Sequence, residues 1–128
     1  MARRIQQASL PREVPELEGW QISPHYRLAR EVGGDFYDFH FLSNGRLGSS
    51  WGTQQARACS ASYVSHLRHA SGSLTSLRLL YSPGEELARV NETLLVRLPA
   101  NMFVTCFYAI LDPKCGTLSF ANAGHDLP

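Results

Sequence analysis

Hydrophobic positions along this chain switch between helical and strand periods, and each switch predicts an element. Leu87, Val90, Leu94 and Leu98 recur at helical spacing, which predicts a helix running on from Ser82. Ser82-Pro83-Gly84-Glu85 forms a capping box with proline at the first helical position, and Arg97 falls in the last turn, where a cation suits the helix dipole. Met102 to Leu111 is apolar on both alternating faces, the pattern of a strand covered on two sides. Asp112-Pro113-Lys114-Cys115-Gly116 then turns the chain, and Thr117 to Ala121 returns as a partner strand. Upstream, Phe36 to Leu42 is aromatic-rich and strand-like. Ser43-Asn44-Gly45 is its hairpin turn, since Asn-Gly tolerates positive φ, and Arg46-Leu47-Gly48 begins the return strand.

The N-terminal stretch is less regular. Ala2 to Leu10 carries a weak helical stripe that Pro11 stops, and Pro11 to Gly19 is a polar connection. Trp20, Ile22, Tyr26 and Leu28 suggest a strand interrupted at Pro24. Strands in hairpins with helices set apart from them define an α+β class. The expected division is residues 1–18 as helix and connection and 19–128 as one domain.

Composition narrows the function classes. With 128 residues, 44% hydrophobic and 18% charged, the chain has the make-up of a single soluble globular domain. A net charge of +1 provides no field to gather nucleic acid or an anionic membrane surface, so no nucleic-acid partner is expected. The longest apolar run is far short of the roughly 20 residues of a membrane span, and the N-terminus lacks a secretory signal, so no membrane span and a cytoplasmic location are expected. The three cysteines, Cys59, Cys106 and Cys115, lack pair spacing and read as free, mostly buried thiols. One region departs from this ordinary composition. No acid occurs between Asp38 and Glu85, and Ser49 to Leu80 holds eight serines, a shift that by itself would mark a linker or insert.

Two short stretches carry candidate chemistry: Glu31-Val32-Gly33-Gly34-Asp35-Phe36-Tyr37-Asp38 and Phe120-Ala121-Asn122-Ala123-Gly124-His125. Together with Arg4-Ile5-Gln6-Gln7, Ser82-Pro83-Gly84-Glu85 and Ala100-Asn101-Met102-Phe103-Val104-Thr105, they resemble the SpoIIE-type branch of the metal-dependent, PPM-type serine/threonine protein phosphatases. The resemblance implies a β-sandwich with flanking helices, of which this chain holds part. It also implies a pair of Mn2+ or Mg2+ ions held by aspartates. Hard cations take oxygen ligands, and two of them activate a water while neutralising charge on the phosphoryl group. By the same resemblance the partner is a phosphorylated regulatory protein of the anti-sigma-factor antagonist type.

The resemblance places a metal ligand at Asp35, with Gly33 and Gly34 letting the backbone approach the site. Alone, Gly-Gly-Asp is a common loop sequence; the flanking residues and the second motif raise the site reading above it. Asp38, three positions on, lies on the opposite face of an extended strand and is expected to act in a supporting role. Asn122, Gly124 and His125 match the family's loop near the catalytic centre. A catalytic part for His125 and a plain loop histidine bonded to backbone stand as equal alternatives. His66 and His69, at helical i, i+3 spacing, lack an acidic or cysteine partner and read as solvated.

After the return strand the family carries a Gly-Asp-x-x-Gly-Lys-Gly loop whose aspartate binds metal, followed by an Ala-rich helix. This chain reads Ser49-Ser50-Trp51-Gly52-Thr53-Gln54-Gln55-Ala56-Arg57-Ala58, without a carboxylate. These residues are compatible with a chosen encoding, TCG TCG TGG GGG ACG CAA CAG GCA AGG GCG, that reads Val-Val-Gly-Asp-Ala-Thr-Gly-Lys-Gly when two bases are dropped. Residues 49–80 are therefore expected to be an out-of-frame translation, the least ordered part of the chain, with frame restored before Ser82. By the same resemblance, a sensor segment is expected before the first helix and further metal aspartates after Pro128, outside residues 1–128. Two readings result: a serine/threonine phosphatase domain impaired by these losses, or a non-catalytic fragment or protein-binding module derived from one.

Overall fold

The computed structural model describes residues 10–27, 35–42, 45–55, 82–97 and 100–126. These form one antiparallel sheet and one helix: β1 (Asp35–Phe41), β2 (Leu47–Gln55), α1 (Pro83–Arg97), β3 (Phe103–Asp112) and β4 (Thr117–Ala123). The strands lie in chain order, β1-β2-β3-β4, so β2 and β3 are central. The composition of the described residues is thus α+β.

Local chemistry accounts for each boundary. Gly45 sits at φ 74° in the β1–β2 connection, and the Leu42 amide donates to the Arg46 carbonyl at 2.8 Å, closing the hairpin. The capping box forms as the sequence predicts. The Ser82 amide donates to Glu85 Oε2 at 2.8 Å, and the Glu85 amide reaches Ser82 Oγ at 3.4 Å. The β3–β4 turn closes through the Gly116 amide and the Asp112 carbonyl at 2.9 Å.

The helix covers one face of the sheet. Its Val90 and Leu94 pack with Phe36, Val104 and Cys106, while Leu87 packs with Leu42, Tyr108 and Ile110. The expectation of a strand covered on both sides fits β3, where Phe107, Tyr108, Ala109 and Ile110 are buried in succession. On the face away from α1, the Trp51, Phe107 and Phe120 rings stack, with centroids 4.5 and 5.2 Å apart.

Residues 49–55 differ from their expected disorder: they belong to β2, paired along its length with both β1 and β3. The reason is that sheet hydrogen bonds use backbone groups present in any sequence, and the side chains here suit the two faces. Trp51 joins the ring stack, while Gly52 lies under Phe36, where a Cβ would run into the Thr105 carbonyl oxygen. The remainder of the 49–80 expectation, His66, His69 and Cys59 included, lies outside the described residues. So does the N-terminal helix before Leu10.

The strand suggested from Trp20 to Leu28 is not formed over its described part. Trp20 makes an isolated bridge with Leu17, and residues 21–27 have no regular structure. Pro24 has no amide to donate, and the Tyr26 ring packs on Tyr37 at 6.2 Å instead. Cys106 is half-buried and Cys115 exposed, so only one of the two described thiols is shielded as expected.

Candidate functional site

Asp35 opens β1, and the antiparallel register sets it directly opposite Thr53 of β2, which in turn faces Thr105 of β3. Directly opposed residues point to the same face, so the three side chains line up across the end of the sheet. Thr53 Oγ1 donates to Asp35 Oδ1 at 2.7 Å. The Thr53 amide donates to Thr105 Oγ1 at 3.3 Å, and Thr105 Oγ1 lies 2.9 Å from His125 Nδ1. The result is one hydrogen-bonded string, Asp35–Thr53–Thr105–His125.

The string constrains its protons. Thr105 Oγ1 also donates to the Thr53 carbonyl at 3.3 Å, and a hydroxyl has a single proton. When that proton points to the carbonyl, Nδ1 of His125 is the protonated ring nitrogen and donates to Thr105.

The loop that presents His125 is held by Asn122. Its Nδ2 donates to the His125 carbonyl and its Oδ1 accepts from the His125 amide, both at 2.8 Å, with Gly124 at φ 69° between them. Asn122 and Gly124 therefore shape the loop, and His125 faces the sheet. Of the two alternatives for His125, its amide and carbonyl bonds match the loop histidine, while its ring is additionally tied to β3.

Asp38 lies on the face toward α1, as its odd spacing from Asp35 predicts, and its Oδ1 accepts from the Phe39 amide at 3.0 Å. It is not brought to the string. Gly33 and Gly34 lie outside the described residues. The string opens on a cleft of about 770 Å³ whose walls include Tyr26, Arg27, Tyr37, Trp51 and Asp126. Tyr26 closes one side, donating from its hydroxyl to the Asp35 carbonyl at 3.3 Å.

This donor set does not fit a pair of divalent cations. Magnesium and manganese sites draw on several carboxylate oxygens, whereas Asp35 is the one carboxylate in the string and its Oδ1 already accepts a hydrogen bond from Thr53. Among the described residues no group of three or more His, Cys, Asp or Glu is placed to hold a metal ion. Nor is the half-buried thiol a nucleophile: burial pushes Cys106 up to about 12, which leaves it protonated at neutral pH.

Thr53 and Thr105 were not singled out in the sequence, although one of them was within reach. Counting outward from Asn44 at the hairpin centre pairs Phe41 with Leu47 and, six residues farther, Asp35 with Thr53. Thr105 has no such local signal, because β2 and β3 are joined through α1.

Comparison with known proteins places the chain. The family described as Stage II sporulation protein E (SpoIIE) matches residues 54–128. Protein IcfG of Synechocystis sp. is 31% identical over 150 residues, covering 97% of this chain and 24% of that protein. Phosphoserine phosphatase RsbU of Bacillus subtilis is 26% identical over 128 residues, covering 98% of this chain and 37% of that protein. The chain thus spans between about a quarter and just over a third of these relatives' lengths. It belongs to the SpoIIE family.

Proposed function

We propose that this SpoIIE-family chain is part of a PPM-type serine/threonine protein phosphatase domain, and that in the sequence at hand the domain is catalytically impaired. The observation that carries this reading is Asp35 at the rim of the cleft, bonded to a threonine where a second carboxylate would be needed. In a complete domain of this kind, two Mn2+ or Mg2+ ions would supply water activation and charge neutralisation for removal of phosphate from serine or threonine, with ligands beyond the described residues. Asp35 is the residue here suited to such an ion, with Gly33 and Gly34 beside it in sequence. Asn122 and Gly124 support the site by shaping the loop, Asp38 acts only through the backbone of β1 on the other face, and His125 is the candidate for contact with substrate.

The substrate is a phosphorylated regulatory protein of the anti-sigma-factor antagonist type, encountered in the cytoplasm. Family membership and a phosphoserine phosphatase among the relatives support the phosphatase part of this reading. Among the described residues no helix is long and apolar enough to cross a membrane. The domain begins near residue 19. The ring-bearing face away from α1 is the surface that the second sheet of a sandwich would cover. Residues 49–80 are the out-of-frame translation inferred from codon compatibility, and sequencing the coding DNA from codon 48 to 82 tests that directly.

The test of function is hydrolysis of a phosphoserine peptide by the purified chain with manganese. The expected rate equals the blank, and Asp35→Asn leaves it there. Manganese-dependent hydrolysis abolished by Asp35→Asn overturns the impaired reading. The second reading, a non-catalytic binding module, is favoured by the exposed apolar side chains Phe103, Leu118 and Phe120. It predicts binding of the regulatory protein without turnover.

A further inference from the structure

We propose that Thr53 stands in the place of a metal-binding carboxylate, so that Asp35 is bonded within the sheet and this corner is closed to divalent cations by the identity of a single residue. The kind of ion rests on the phosphatase reading; the position rests on geometry. Thr53 is the residue directly opposite Asp35, on the same face, with its Oγ1 2.7 Å from Asp35 Oδ1. A carboxylate at residue 53 would bring two more oxygens to this point. Two such charges side by side repel one another, and a hard cation between them relieves that repulsion while gaining oxygen ligands from both strands.

A hydroxyl does the reverse. Its O–H donates a hydrogen bond to Asp35 Oδ1, competing with a cation for one lone pair of that oxygen, and it supplies no charge. The backbone of the same residue is tied to Thr105, which is tied to His125, so the cross-strand string satisfies itself without an ion.

The test measures metal binding, so its outcome is separate from whether any variant hydrolyses phosphate. Mn2+ is titrated calorimetrically into the full chain, into Thr53→Asp, into Thr53→Asn as the uncharged control, and into Thr53→Asp combined with Asp35→Asn. Circular dichroism checks each fold. The expected result is no saturable binding by the unaltered chain or by Thr53→Asn below millimolar Mn2+. Thr53→Asp is expected to bind at least about tenfold more tightly, with the gain lost in the double variant. If Thr53→Asp is unfolded without metal, it is expected to regain structure on adding Mn2+, because an ion bound only by the folded state stabilises it.

Saturable micromolar binding by the unaltered chain that Asp35→Asn removes overturns the proposal. So does a Thr53→Asp chain whose Mn2+ affinity, or whose melting in the presence of Mn2+, matches that of Thr53→Asn. Gained binding without phosphopeptide hydrolysis upholds the role of Thr53 and leaves the phosphatase reading to its own assay.

Discussion

The two faces of the sheet are built from different materials. Toward α1, β2 offers small residues, Gly48, Ser50 and Gly52, with the His40 and Tyr108 side chains over Gly48 and the Phe36 ring over Gly52, and the helix packs Val90 and Leu94 against Phe36, Val104 and Cys106. Away from α1 the same strand carries Trp51, and the face is dominated by rings, with Phe107 only 4% exposed but Phe120 60% exposed. The first face excludes water by helix-on-sheet packing. The second does so only at its centre, where one ring shields the next. Burial on a sheet face therefore depends on what stands over it as well as on the hydrophobicity of its residues.

Removing the ring at the centre of the open face probes that contrast most severely. Phe107→Ala is expected to destabilise the chain by about 3–5 kcal/mol, against less than about 1 kcal/mol for Phe120→Ala, read by urea unfolding. Equal losses at the two positions would mean that the open face is covered in solution by something absent from the isolated chain. On the covered face, Gly52→Ala is expected to cost about 1–3 kcal/mol, since its methyl group has only the Thr105 carbonyl and the Phe36 ring to meet. A neutral result there would show that β1 and β3 give way easily around Gly52, and the two faces would then differ less than the packing indicates.

Smaller effects sharpen the helix side. Ser82→Ala is expected to cost about 1 kcal/mol, because the Glu85 amide loses its acceptor. The Glu85 carboxyl is held below its usual value, first by the Ser82 amide and then by the Ser82 hydroxyl. A carboxyl depressed in the folded state stabilises it above the unfolded value, and that contribution is lost as pH falls through the folded value. Helix content followed by circular dichroism should accordingly decline on acidification into the carboxylate range, and less steeply in Ser82→Ala. The smallest expected signal is chemical. At pH 8 iodoacetamide should label Cys115 well before Cys106, whose burial raises its thiol to about 12. Peptide mass spectrometry of the labelled chain distinguishes them.

Much of the fold was legible along the chain because its signals are local. The capping box at Ser82 needs only residues three apart. The β1–β2 hairpin needs only a turn that admits positive φ, and the apolar run of β3 identifies a covered strand from its own side chains. The failures were local signals overruled. Trp20 to Tyr26 has strand-like residues but, among the described residues, no neighbouring strand, and a strand without a ladder is not stable alone. Residues 49–55 have a composition that predicts disorder, but two neighbours are available to pair with them, and backbone pairing does not consult composition.

The candidate site divides in the same way. The sequence by itself determined that the chain carries a SpoIIE-like Asp35 motif and an Asn122-to-His125 loop, and that Asp35 and Asp38 point to opposite faces, since strand side chains alternate. Only the tertiary structure decided that the two motifs meet. They are joined through Thr53 and Thr105, residues from two further strands, one of which reaches its neighbour only by way of α1. Contacts of that kind are set by sheet register and by which strands become neighbours. Both are properties of the whole sheet, in which every hydrogen-bonded pair constrains the next, and no single segment records them.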